Sequence, residues 1–408
     1  MNCRFCQTTL EHEFLDLINS PASNSFLTGE QLNEPETFFP LRVFVCHTCF
    51  LVQIDEYKKS DSIFDSEYVY FSSYSRSWLA HAKEYVDMVT KRFSLSGNST
   101  VIEIASNDGY LLQNFLSLKI PVLGIEPTKN TAAVAVAKGI ETITEFFGSA
   151  LAKTLRKKKI GADLFLGNNV LAHVPDIVDL VKGMKIILKP GGVVTMEFPH
   201  LMQLIRNTQF DTIYHEHFSY LSFYSVKKIF ESQGLQLFDV EEIPTHGGSL
   251  RIYAKHAGNE LLTITASVDE LLKKEIAEGI TDIRYYQHFR ERVLKAKIDF
   301  IQFLVESKKQ GRSVAGYGAA AKGNTLLNYC GIKNDLIIFV VDANPAKQDK
   351  FLPGSHIPVV NEERLKSERP DFVIIFPWNI KEEIIAQLGY IREWGGKFVV
   401  PIPELEII

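Results

Sequence analysis

No run of eighteen apolar residues occurs anywhere in the 408-residue chain, so no stretch reads as a membrane-spanning helix. The start of the sequence, Met-Asn-Cys-Arg-Phe-Cys, lacks the apolar segment of a secretory signal, and the expected location is the cytoplasm. Charge of one sign is also missing: 44 Lys and Arg against 49 Asp and Glu leave a formal net charge of -5. Without a basic excess, nonspecific binding to nucleic acid is not expected. Cysteine is scarce, with five in all, yet four of them stand in two pairs. What is present is an ordinary globular composition, 46% hydrophobic and 23% charged, in a chain long enough for two or three domains that each bury a core.

Cys3 and Cys6 form one C-x-x-C, and Cys46 and Cys49 form a second, fed by the apolar run Leu41 to Val45. Two such pairs supply the four thiolates of a tetrahedral zinc site. Disulfides are the weaker alternative in a reducing compartment, and a redox C-x-x-C would not need a second pair. Closed four-sulfur coordination leaves no position for water, so a zinc here holds the fold of residues 1–64 and does no chemistry. Cys330 is expected to be a small buried side chain.

The rest of the chain is organised around V-I-E-I-A-S-N-D-G-Y, residues 101–110. Val101, Ile102 and Ile104 read as a buried strand, and the small or turn-forming residues after them let backbone approach a ligand before a helix begins over Tyr110 to Leu116. Glu103 interrupts the apolar strand, where an unpaired carboxylate is costly. It is expected to accept hydrogen bonds from the following loop or from a cationic ligand. Pro121 to Glu126 repeats the strand pattern and ends in Glu126, well placed to accept from both hydroxyls of a ribose. The first loop lacks the G-x-G-x-x-G spacing that brings backbone against a pyrophosphate, which favours a cofactor with a ribose and no phosphate. An ordinary strand-to-helix turn is the bland alternative. Ala162 to Gly167 gives a third strand, ending at Asn168 and Asn169, and Gly191 to Phe198 a fourth after the turn Lys189-Pro190-Gly191-Gly192.

This order of elements resembles the S-adenosylmethionine-dependent methyltransferase fold, a central Rossmann-like α/β sheet. The first motif of that fold, an acid followed by small residues and glycine, falls here on Glu103, Ala105, Asn107, Asp108 and Gly109. Ala105-Ser106-Asn107 departs from it, since many members carry more glycine. The resemblance places Phe146 or Phe147 against adenine, with core packing as the alternative, and makes Thr245 to Tyr253 the closing strand. His173, after the third strand, lies on the ligand-binding side of such a sheet, although a lone histidine is more often structural.

Other stretches remain open. Glu67 to Tyr74 clusters aromatics, with Tyr68 and Tyr70 either plugging a domain junction or lining a substrate wall. A helix is expected from Ser77 to Phe93. Ile213 to Ser222, I-Y-H-E-H-F-S-Y-L-S, sets three ionisable groups in a row among apolar residues. If extended, it points Tyr214, Glu216, Phe218 and Tyr220 one way and His215 and His217 the other. It reads as an acid/base cluster, as a second metal site completed by His200 or His246, or as a structural network. A charged helical stretch from Val268 to Lys308 leads to a second strand-loop-helix unit. Its parts are a strand Ser313 to Tyr317, a small-residue loop Gly316 to Asn324, a helix Thr325 to Cys330, and further strands Ile337 to Asp342 and Asp371 to Phe376. Backbone N–H groups, Lys322 and Asn324 could hold a diphosphate there; a degenerate, non-binding copy is the alternative.

Taken in order, the paired C-x-x-C, E-I-A-S-N-D-G, G-I-E-P, N-N-V-L-A-H-V-P, I-Y-H-E-H-F-S-Y and G-Y-G-A-A-A-K-G-N-T resemble the three-domain sugar-nucleotide C-methyltransferases of deoxysugar biosynthesis, which act at C-3 of 4-keto sugars. The resemblance implies a zinc-binding module at 1–64, a methyltransferase domain at 65–257 and a helical linker with a smaller Rossmann-like domain at 258–408. It also implies S-adenosylmethionine as cofactor and a nucleotide-diphosphate sugar as substrate, with oligomeric state open and a monomer admissible. By its motifs Tyr214, Glu216 and His217, with His173 and Tyr70, are catalytic, and His215 receives no role. An O- or N-methyltransferase and a zinc-bearing interaction protein are the other readings.

Overall fold

In the computed structural model, which describes residues 1–57 and 71–408, the apolar run Val101–Ile104 is strand β1 of a seven-stranded sheet. Tyr68 and Tyr70 lie outside the described residues. The other strands are β2 Val122–Ile125, β3 Thr142–Ile143, β4 Ala162–Asn168, β5 Leu188–Pro199, β6 Leu235–Ile243 and β7 Ser249–His256. Their order is β3-β2-β1-β4-β5-β7-β6. All pairings are parallel except those of β7, which runs antiparallel to both β5 and β6. The strand order reverses beside β1, so the crevice outside the carboxyl ends of β1 and β4 is where such a sheet takes its ligand. The Lys189-Pro190-Gly191-Gly192 segment does not precede its strand as a turn. It lies inside β5, where the register with β4 slips between the pairs Ala162–Leu188 and Leu164–Val193. A bulge of this kind admits the proline that a regular ladder would exclude.

Helix α1, Arg76–Arg92, is capped by Ser75, whose hydroxyl accepts from the Trp78 N–H at 3.2 Å. Its Tyr85, Val86 and Val89 face Leu111, Phe115, Leu164 and Tyr253 in one buried core. This sheet belongs to a unit made of Met1–Glu11, Cys46–Leu201 and Phe218–Thr281. In the same unit Val52–Ile54 pairs with Ser219–Tyr220.

The second unit comprises His12–Val45, Met202–His217 and Asp282–Ile408. Its sheet contains β8 Val314–Tyr317, β9 Val340–Val341, β10 Val359–Val360, β11 Phe372–Ile375, β12 Lys397–Val400 and β13 Glu406–Ile407, in the order β10-β9-β8-β11-β12-β13. Only β13 is antiparallel to its neighbour. The strand expected over Ile337 to Asp342 is thus reduced to two residues. An antiparallel pair, His12–Ser20 with Phe39–Val45, belongs here as well; Phe14 stacks on Phe289 at 4.8 Å between ring centroids. The charged helical stretch expected from Val268 to Lys308 consists of three helices: Ala266–Glu278, Ile283–Gln287 and Phe289–Lys309. Gly279, at φ 112°, ends the first by taking the left-handed conformation, and the boundary between the units follows at Thr281. Among the described residues no helix is long and apolar enough to cross a membrane.

Candidate functional site

At the end of β1 three alternate residues adopt left-handed backbone: Ala105 at φ 50°, Asn107 at 50° and Gly109 at 75°. They fold the chain back sharply and turn its N–H groups toward the end of β2. Glu126, 4% exposed, receives them: its Oε2 accepts from the Asn107 N–H at 2.9 Å and its Oε1 from the Thr128 N–H at 2.9 Å. Burial pushes its pKa up and these donors oppose that, with a net rise. Asn107 Oδ1 accepts from the Ser72 N–H at 2.9 Å, and Asp108 lies 3.7 Å from the Lys138 ammonium.

Of the two partners expected for Glu103, the loop is not one. It is fully buried, and neither carboxylate oxygen has a hydrogen-bond partner among the described residues. The turn's N–H groups go elsewhere: Asn107 to Glu126, Ser106 to the Ile125 carbonyl and Gly109 to the Ser106 carbonyl. Burial, followed by the charges of Glu126 and Asp108, holds Glu103 well above the usual carboxylate range. Glu103, Glu126 and Asp108 thus gather three buried carboxyl groups about the end of β1, with the Lys138 ammonium 3.7 Å from Asp108; a cation beside them offsets their mutual repulsion, and S-adenosylmethionine carries both a sulfonium and an ammonium. The residues present therefore fit that cofactor.

At the end of β4, Asn169 (φ 55°) donates from Nδ2 to His246 Nε2 at 2.8 Å, while Asn168 Nδ2 is buried with no acceptor among the described residues. Phe147 packs on Phe165, 4.9 Å between centroids, and Phe146 is 49% exposed. His173 ends the short turn Leu171–His173 and is partly buried. Sequence reasoning missed Glu197 on β5, completely buried, which accepts from His81 Nε2 at 2.9 Å, Arg251 Nη2 at 3.1 Å and Thr245 Oγ1 at 3.0 Å. Burial raises its pKa, but the His81 hydrogen bond and the charges of His81, Arg251 and His246 outweigh that and hold it low. Trp78 stacks on His81 at 4.9 Å. The one available signal was an acid inside the apolar fourth strand, the same irregularity that drew attention to Glu103.

In the second unit, Tyr214 to His217 is a tight turn, closed by the His217 N–H to the Tyr214 carbonyl at 2.9 Å. Extended alternation therefore does not apply: the Tyr214 and His217 rings lie together, 4.1 Å between centroids. His217 Nδ1 is 2.9 Å from the Thr212 carbonyl. A carbonyl only accepts, so Nδ1 carries the proton and the basic lone pair belongs to Nε2. Glu216, 4% exposed, accepts from Asn24 Nδ2 at 2.6 Å. His215 turns away to the Pro40 carbonyl and the Phe39 ring. Among the described residues no metal-competent group includes either histidine, and His200 is committed to Glu275 at 2.6 Å, so the second metal site is not built.

The helix expected from Thr325 begins four residues earlier, as α2 Ala321–Cys330. Lys322 and Asn324 are thus on its first turns and not in a loop. A Cβ at Gly323 would meet Phe376 Cγ at 2.9 Å, so that glycine serves the close approach of helix and β11. The preceding Ala319 N–H donates to Asp342 at 2.8 Å and its carbonyl accepts from Lys347 at 2.9 Å. Lys322 donates to Asn379 Oδ1 at 2.6 Å and lies 4.4 Å from the Trp378 ring. Burial lowers its pKa and the charge of Asp211 opposes the shift. Asn324 Nδ2 donates to the Ser23 carbonyl at 2.6 Å.

Cys3, Cys6, Cys46 and Cys49 bring their sulfurs within 4.8 Å of one another, with contacts of 3.5, 3.5 and 3.6 Å. Zinc–sulfur bonds of about 2.3 Å need tetrahedral edges of roughly 3.8 Å. No disulfide forms, so the cluster fits a structural zinc, and with four sulfurs it leaves no site for a reacting water.

Three family profiles match the chain: a zinc binding domain over residues 3–64, a methyltransferase domain over 78–240 and a C-methyltransferase C-terminal domain over 244–403. C-methyltransferase NovU of Streptomyces niveus is 35% identical over 409 residues, covering all of this chain and 96% of that protein. A solved S-adenosylmethionine-dependent methyltransferase from Clostridium acetobutylicum is 12% identical with a TM-score of 0.37, covering 44% of this chain and 92% of that one. One from Anabaena variabilis is 15% identical with a TM-score of 0.37, covering 44% and 86%. With a cation-ready loop on a methyltransferase sheet, a four-cysteine zinc cluster and a full-length relative, the chain belongs to the S-adenosylmethionine-dependent C-methyltransferase family.

Proposed function

We propose that the substrate is a nucleotide-linked 4-keto-deoxysugar methylated at C-3, and that His217 is the base. The observation that carries this is the His217 hydrogen bond: with Nδ1–H donated to the Thr212 carbonyl, the lone pair of the neutral ring falls on Nε2. A carbon–hydrogen bond is not nucleophilic, so methylating carbon needs a carbanion equivalent, and an adjacent ketone makes that proton removable. His217 takes it, and the electrons move into the ketone as an enolate. Tyr214, Tyr70 and His173 are the donors assigned to the developing oxygen charge. Glu216 orients the histidine or holds a sugar hydroxyl. When bound, S-adenosylmethionine supplies an electrophilic methyl group. Its assigned contacts are Glu103, Ala105, Asn107, Asp108, Gly109, Glu126, Asn168, Asn169 and the exposed ring of Phe146, with Phe147 behind. Tyr68, Tyr70, Lys322 and Asn324 are assigned to the nucleotide sugar.

His217→Ala is expected to abolish methyl transfer and solvent-deuterium exchange at the carbon beside the ketone, with cofactor affinity by calorimetry nearly unchanged. Full exchange in that variant would remove His217 as the base.

A further inference from the structure

Three residues at the start of α2 are tied to two other segments of the second unit. Asn324 Nδ2 reaches the Ser23 carbonyl at 2.6 Å, Thr325 Oγ1 reaches the Ile213 carbonyl at 2.9 Å, and Lys322 is the cation beside Asp211. Ser23 is followed by Asn24, whose amide holds Glu216 at 2.6 Å. Trp378 Nε1 holds Asp211 Oδ2 at 2.7 Å. The segment Ser23–Asn24, the turn carrying Tyr214, Glu216 and His217, and the first turns of α2 are therefore one connected polar cluster.

Within that cluster three side-chain atoms are buried and lack a partner among the described residues: Ser23 Oγ, Asn324 Oδ1 and Asp211 Oδ1. The residues are 1% exposed in each case. Burying a polar atom unpaired costs about 1–3 kcal/mol, so three around one corner mark a place built for a ligand's hydrogen bonds. The amide of Asn324 cannot be flipped, because its oxygen would then face the Ser23 carbonyl. Two of the three atoms are thus acceptors only, and the third is a hydroxyl. With the carboxylates of Asp211 and Glu216 alongside, such a set repels an anion and receives neutral donors.

We infer that Ser23, Asn24, Asp211 and Asn324 form a corner that reads sugar hydroxyls, in which Asn24 positions Glu216 and the buried oxygens of Ser23, Asp211 and Asn324 bond the hydroxyl groups of the substrate. This rests on the sugar-nucleotide reading above and sharpens it: Asn324 serves the sugar ring and not the diphosphate. Lys322 keeps Asp211 in place as its counter-charge.

The test uses the full-length protein with thymidine diphosphate-4-keto-6-deoxyglucose and its 2-deoxy counterpart, following methyl transfer and deuterium exchange. Asn24→Ala is expected to raise KM about 10- to 100-fold, the range for losing one hydrogen bond to a charged group, with a smaller fall in kcat and partial rescue in Asn24→Gln. Ser23→Ala is expected to lose more on the hydroxylated sugar than on the deoxy one, narrowing the preference between them. Wild-type KM and preference in both variants overturn the inference, as does an equal loss of kcat on both sugars, which marks a purely structural role. If the wild type neither methylates nor exchanges either sugar, the sugar reading falls and takes this inference with it.

Discussion

The chain builds the same local device twice and uses it differently. In each unit a strand (β1, β8) ends in a small-residue turn, a helix follows, and an acid at the end of the next strand accepts a turn N–H: Glu126 from Asn107 at 2.9 Å, Asp342 from Ala319 at 2.8 Å. Around the first turn the charges are acidic and one carboxyl group, Glu103, has no donor among the described residues. Around the second, Lys347 bonds the turn carbonyl, and Lys322, Asn324 Nδ2 and Thr325 donate to Asn379, the Ser23 carbonyl and the Ile213 carbonyl. The comparison teaches that the strand-turn-helix shape does not by itself make a phosphate site; the charges left unpaired beside it decide what it can take.

Gly318 and Ala105 offer the strongest way to break this comparison. Gly318 has φ 86°, and a Cβ there would lie 2.3 Å from Pro377, whereas Ala105 already carries a Cβ at φ 50°. Gly318→Ala is expected to destabilise by about 3–4 kcal/mol, combining left-handed strain with overpacking, as read by denaturant unfolding. A loss under about 1 kcal/mol would show that the second turn has slack.

Next in size is a pH effect. Burial pushes Asp211 up to about 6, opposed chiefly by the charge of Lys322, against about 3.9 in an unfolded chain. Between those values the folded protein keeps a proton that the unfolded chain has released, so this group's contribution to stability falls as pH rises from about 4 to about 6. The decline is at most about 3 kcal/mol and should vanish in Asp211→Asn. An unchanged pH slope in that variant would mean Asp211 is not the group responsible.

Glu103→Gln keeps the shape and removes the carboxyl group that a bound cation would draw back into its charged form. Affinity for S-adenosylmethionine is expected to drop about 10-fold, roughly 1.4 kcal/mol, and unaltered calorimetric affinity would deny Glu103 any part in holding the cation. The smallest expected effect is Ala105→Gly, which relieves left-handed strain of about 1–2 kcal/mol while adding about 0.5–1 kcal/mol of unfolded-state entropy, a net gain of about 0–1.5 kcal/mol. A fall in stability on thermal melting would show that the Ala105 methyl has packing worth more than the strain.

Much of this was legible beforehand because it depends on short-range pattern. The apolar runs at Val101, Val122 and Ala162 became neighbouring parallel strands, since a short, largely apolar run suits a strand that is buried on both faces. The four cysteines converge because their spacing admits one tetrahedron. Other features were misread for equally local reasons: Lys322-Gly323-Asn324 looked like loop until the packing of Gly323 against Phe376 showed why glycine stands there. The Ile213 to Ser222 stretch has no hydrophobic period that separates strand from turn, so the contact of the Tyr214 and His217 rings could not be anticipated.

By itself the sequence determined strands β1, β2, β4 and β5 and the closing strand β7 of the first sheet, β8 and β11 of the second, the four-cysteine cluster, the acidic turn after β1 and the position of the Tyr214 to His217 motif in the chain, all through periodicity or spacing within a few dozen residues; β3, β6, β10, β12 and β13 carried no such signal. Only the tertiary structure decided that Asn24 holds Glu216, that Asn324 reaches Ser23 and that Trp378 holds Asp211. It also decided that Glu197 gathers His81 and Arg251. Hydrogen bonds between residues so far apart in the chain leave no period to read, because their partners are chosen by what the fold brings within about 3 Å.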